Sequence, residues 1–213
     1  MKGIQDMGYT TEFDGAFWFN KKVTDDFKEY INNFCCTRHM KMDVEKIKQD
    51  LPFWRMLGFD GKLGPDGAFI LDFDNIWEGR RKYVLDFNNN EYCPGIWCQW
   101  EITKDNEHLQ WDGAEKFYNY KEWLEFLAEN FFEPKGYKLS GVLYYWGEEE
   151  GDVGYLIAND NNFYDFNAID YDNVELANRF SSNPELSKKI LEGFDSEKIQ
   201  KVWKDRYGDD YEI

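Results

Sequence analysis

The chain has 213 residues, 42% of them hydrophobic and 19% aromatic, and its 25 basic against 42 acidic side chains leave a formal charge of −17. That apolar content supplies a core and excludes global disorder, and no apolar run is long enough for a membrane-spanning helix. A surface this acidic repels phosphate, which argues against direct nucleic-acid binding.

In chain order, residues 1–10 show neither a basic flank nor an apolar run, so no signal peptide is expected and the expected location is the cytoplasm. Residues 8–20 are β-rich, with a bend expected near Asp14-Gly15. Thr24 is placed to cap a helix whose apolar face is Phe27, Tyr30, Ile31 and Phe34. A short second helix over 44–51 stops at Pro52, and the glycines of 58–67 predict a loop. Strands are expected over 68–73, 82–87, 96–103 and 108–111. The clearest element is an amphipathic helix over 120–132, with Asn119 as its cap. Strands over 139–146, 153–158 and 163–169 follow, joined by an acidic turn and by Asp160-Asn161-Asn162. Apolar content then falls, and helical patterns cover 174–180, 184–193 and 197–207. Clustered strands with hairpin-like turns predict an α+β fold, mostly antiparallel, with packed helices. The expected division is a core domain over 1–165 and a helical C-terminal extension over 166–213.

Charge is unevenly spread: residues 59–172 hold 9 basic and 24 acidic side chains, while residues 1–58 balance at 9 and 9. Such a field either keeps the protein in solution or attracts a cationic partner. Glu148, Glu149, Glu150, Asp152 and Asp160 are the candidate contacts, with Trp97, Trp146 and Tyr155 as candidate aromatic binding residues.

Phosphate-binding glycine loops, G-x-S-x-G and H-E-x-x-H motifs are all missing from the sequence, and only His39 and His108 offer imidazole chemistry. His108 beside a turn reads as a surface residue. Trp97, Trp100 and Trp111 lie near Glu101, Asp112, Glu115 and Tyr118. Such a set either packs as cross-strand aromatics with solvated acids, or stacks a ring beside two carboxylates capable of acid–base work. Cys36, His39, Cys93 and Cys98 offer zinc-ligand chemistry at nonstandard spacing, and buried free thiols are the competing reading. No cofactor is expected. Glu148 to Asp152 lack the spacing of a calcium loop.

The runs GYTTEFDGAF (8–17), TRHMK (37–41), PGIWCQW (94–100), WDGAEKFYNYKEWLEFLAENFF (111–132) and GYKLSGVLYYWGEEEGDVG (136–154) occur in that order. Over residues 8–160 the chain resembles a family of small bacterial and phage proteins with no assigned activity. It departs from that pattern at Ala114, where the family has glycine, and at His39, where it has a second arginine. The resemblance implies a shared fold and carries over no catalytic residue. The phage setting implies a role in conflict with the host, acting in the host cytoplasm. Two functions are expected from these readings. The first is a non-enzymatic acidic module that inhibits a basic host defence or nucleic-acid-binding protein. The second is a small hydrolase or nucleotide-binding protein using Glu101, Asp112 and Glu115 beside Trp97.

Overall fold

A computed structural model of the chain describes residues 9–71, 80–149, 151–168 and 170–193. Its frame is a six-stranded sheet in the order β4-β5-β1-β6-β7-β8. The strands are β1 (Glu12–Phe19), β4 (Trp100–Ile102), β5 (His108–Trp111), β6 (Leu139–Trp146), β7 (Val153–Asn159) and β8 (Asn162–Asn167). Every pairing is antiparallel. The α+β class expected from the sequence is the class observed. Asp160 and Asn161, both at positive φ, close the β7–β8 hairpin.

Helices α1 (Asp25–Cys35) and α3 (Tyr120–Leu127) pack on one face of the sheet. Phe17, Phe34, Trp100, Trp123, Phe131 and Phe132 are fully buried there. Helices α4 (Asn173–Arg179) and α5 (Pro184–Glu192) cover the other face, where Leu176, Leu186 and Ile190 meet Val142, Tyr155 and Ile157. Their caps are Asp172 and Asn183, whose side chains accept from the amides of Glu175 and Leu186. Burial on both faces explains why β6 reads as a nearly continuous apolar run. A third cluster, around Met40, Met42, Ile47 and Tyr83, joins α2 (Val44–Asp50) to the two-stranded sheet of β2 (Lys41–Met42) and β3 (Val84–Asp86).

Several expectations need correction. Residues 68–71 form no strand, and 72–73 lie outside the described residues. Gly64 and Gly67, at positive φ around Pro65, turn the chain into a 3-10 helix, which tucks Ala68, Phe69 and Ile70 inside. In 82–87 only Val84–Asp86 is strand, after a 3-10 turn. In 96–103 only Trp100–Ile102 is strand, and the Ile96 carbonyl accepts instead from the His39 amide, outside the β4–β5 ladder. The helix over 120–132 is α-helical only to Leu127. A π turn, Ala128–Phe132, carries it on, and this wider turn lets the consecutive Phe131 and Phe132 both enter the core. Neither Thr24 nor Asn119 makes a side-chain cap; the Asn119 amide donates instead to the Pro94 carbonyl. The pattern over 197–207 lies outside the described residues.

Candidate functional site

The carboxylates and tryptophans of 97–118 collect at the β4–β5 edge of the sheet, but not as one platform. Trp100 is in the core and donates its indole N–H to the Tyr120 carbonyl at 3.1 Å. Trp111 pairs across from it and packs edge-on against Phe13, with ring centroids 5.7 Å apart. Trp97 stands apart, exposed, under the Arg38 guanidinium at 5.6 Å. The three tryptophans therefore share no single stacking surface, and Trp100 and Trp111 pack as a cross-strand pair.

Glu101 accepts from Gln110 across the ladder at 2.7 Å, and Asp112 accepts from the Ala114 amide at 2.8 Å. Burial pushes the Asp112 carboxyl above its ordinary range, and the Glu101 charge adds to the rise. The exposed Cys36, at the C-terminus of α1, has its thiol pushed up by burial and by both carboxylates. Cys36, remote from them in sequence, therefore lies within the electrostatic reach of Glu101 and Asp112. Glu115 contributes its carbonyl to the Gln99 amide while its side chain stays exposed. The exposed Tyr118 accepts from the Tyr9 amide.

The β6–β7 hairpin tip is fastened to the start of the described chain. The Tyr9 hydroxyl donates to Asp152, and the Thr10 amide donates to Glu148 at 2.9 Å. Burial and Asp152 push the Tyr9 hydroxyl up to about 12. Behind it Asp165 accepts from Tyr145 at 2.8 Å and from Tyr120 at 3.3 Å, and burial raises its carboxyl. Glu149 is exposed, and Glu150 lies outside the described residues. Trp146 and Tyr155 are only 5% and 4% exposed, which corrects their reading as projecting anchors. Tyr155 packs in the cluster beneath α4 and α5. Asp160 sits just past the far end of β7, about 25 Å from Asp152 at the strand's rise per residue, and pairs with Lys138. The acidic candidates of 148–160 therefore do not form one patch.

The four residues with zinc-ligand chemistry, Cys36, His39, Cys93 and Cys98, are placed in separate surroundings. His39 is buried against Phe34 and Trp123, with centroids 4.4 and 5.0 Å away, and burial lowers its pKa to about 3. The Cys98 sulfur lies 3.4 Å from that of Cys35, and burial raises the Cys93 thiol to about 12. Among the described residues no group of three or more His, Cys, Asp or Glu side chains is arranged to hold a metal ion. His108 is half-buried, its Nδ1 3.1 Å from Asp105, whose carboxyl is held at about 2 by Thr103, the Glu107 amide and His108.

A cleft of about 420 Å³ lies elsewhere, between the start of α1, the turn at Asp60 and the segment 135–137. The sequence signal for it was Asp60-Gly61, an Asp-Gly pair with both residues at positive φ and flanked by the bridged Phe59 and Lys62. No helix among the described residues is long and apolar enough to cross a membrane. No family model, curated protein or solved structure matches the chain.

Proposed function

We propose that this protein is a non-enzymatic acidic module that docks on a basic protein. The observation that carries the reading is the spot shared by Glu101 and Asp112. Burial raises the Asp112 carboxyl, the Glu101 charge adds to the rise, and neither carboxylate forms an ion pair among the described residues. A cationic group arriving there relieves that repulsion, so the site's own electrostatics favour a basic ligand. The hydrolase reading is weaker, because Glu101 is already engaged by Gln110 and the tryptophans are dispersed. The resemblance to phage proteins extends the proposal to a host target, a defence protein whose basic cleft normally holds nucleic acid. The test is capture from host lysate by the wild-type protein and by the double variant Glu101→Gln, Asp112→Asn. One basic protein in stoichiometric amount at low salt, lost at high salt and lost with the variant, is expected. Recovery that ignores both salt and charge removal overturns the proposal.

A further inference from the structure

The cleft beside α1 combines aromatic walls with carboxylates. Phe27 and Tyr137 stack at 4.9 Å, and Phe59, 4.9 Å from Tyr30, packs edge-on against Phe27 at 5.9 Å. Asp26, from the first turn of α1, and Asp60, from the tight turn, line the same cleft. Two of the chain's own ammonium groups already rest on these rings. Lys135 Nζ lies 5.2 Å from the Phe59 centroid and 2.7 Å from an Asp60 oxygen. Lys21 Nζ lies 4.6 Å from the Tyr137 centroid, held at the rim by the Lys135 carbonyl at 3.0 Å. Aromatic faces joined to a carboxylate form the recognition chemistry of organic cations. Lys135 is a tethered example of the ligand such a site selects. Asp26 has no ion-pair partner among the described residues, which leaves a second carboxylate for an incoming cation.

We propose that this cleft binds an alkylammonium group, seated on the Phe59 ring against Asp60 in the place that Lys135 now takes. The group is either the head of a lysine side chain or a free quaternary amine. Only the choice of a partner's lysine rests on the docking reading above; the cleft chemistry does not. Lys135 is a built-in competitor. Its exposed, flexible side chain must swing off Asp60 before a ligand enters, so removing its charge improves binding.

The test is a titration followed by amide resonances, using choline and its neutral isostere 3,3-dimethylbutan-1-ol. Choline is expected to shift the resonances of 59–61 and 135–137, and the neutral alcohol to leave them in place. Lys135→Met is expected to tighten choline binding about two- to fivefold, and Asp60→Asn to weaken it by a similar factor. Both positions are on the surface, and a thermal melt of each variant confirms the fold. Equal shifts by choline and the alcohol, or an unchanged affinity in Lys135→Met, overturn the inference. N-acetyl-lysine methylamide and its trimethyl form separate the sources. Preference for the lysine compounds assigns the site to a partner's side chain, and preference for choline assigns it to a small amine. Choline binding without any captured basic protein leaves the cleft standing and removes the docking proposal. A captured protein without choline binding does the reverse.

Discussion

His39 shows how a single side chain sets a pH limit. Its ring is enclosed by Phe34 and Trp123, and burial outweighs a hydrogen bond to the Phe34 main chain, so the folded protein keeps it neutral down to about pH 3. In the unfolded chain it takes a proton near pH 6.5. Between those values the unfolded state binds the extra proton, so stability rises with pH. The contribution is complete above about 6.5 and is lost as pH falls toward 3, at up to about 1.4 kcal/mol per pH unit. Asp105 acts lower: its folded value of about 2 confines its loss to pH below about 3.9. Asp112 and Asp165 are raised and act in the opposite direction, since protonating them favours the fold. A comparison that changes only His39 isolates its share. Wild type is expected to lose about 2 kcal/mol more than His39→Leu between about pH 7 and about pH 5, read from urea midpoints. Identical losses would show that His39 does not titrate in this window.

At the scale of elements, β6 holds the sheet together, pairing with β1 on one side and β7 on the other. Gly141 makes that possible. Its φ is +145°, and a Cβ there would lie 2.9 Å from the Phe17 Cα and 3.0 Å from the Ala16 oxygen. Neither backbone atom can move without opening the β1–β6 ladder. Gly141→Ala is therefore expected to cost about 2–3 kcal/mol, measured by urea unfolding. Gly95→Ala, whose Cβ would meet Trp123 Nε1 at 3.5 Å and Asn119 Nδ2 at 3.9 Å, both ordinary contacts, is expected to stay within about 0.5 kcal/mol. Much of this architecture was legible in the sequence. The apolar faces of α1 and α3 repeat at helical spacing, and the β6–β7 and β7–β8 hairpins carry turn residues between apolar runs. The segment 68–71 was misread because a buried apolar run looks the same whether neighbouring strands or a knot of glycine turns enclose it. The types of residue at the acidic spot were legible too. Their meeting was not, since only tertiary packing brings Cys36 beside Glu101 and Asp112. The cation cleft was missed for the same reason. Phe27, Asp60 and Lys135 belong to three separate segments, and each alone reads as core or loop.

For the whole molecule, the three-layer packing confines charge to the outside, and the formal charge of −17 means the folded state carries substantial self-repulsion. Salt shortens the reach of these charges from about 10 Å at 0.1 M to about 3 Å at 1 M. The same screening must then have two opposite effects. It stabilises the free protein by weakening repulsion among its acids, and it weakens any complex held by attraction to a basic surface. The melting temperature is expected to rise as sodium chloride increases from about 20 mM to about 0.5 M, while partner capture falls over the same range. The double variant Glu101→Gln, Asp112→Asn connects the two effects. Each amide keeps an oxygen to accept from Gln110 or Ala114, so the local bonds survive and only the charge is lost. The variant is expected to melt higher than wild type at low salt, with the gap closing at high salt, and to capture no partner. A site whose removal stabilises the protein carries a cost to folding, as expected for a surface that serves binding. A variant that melts lower than wild type at low salt would show that Glu101 and Asp112 support the fold, and the acidic edge would then be structural.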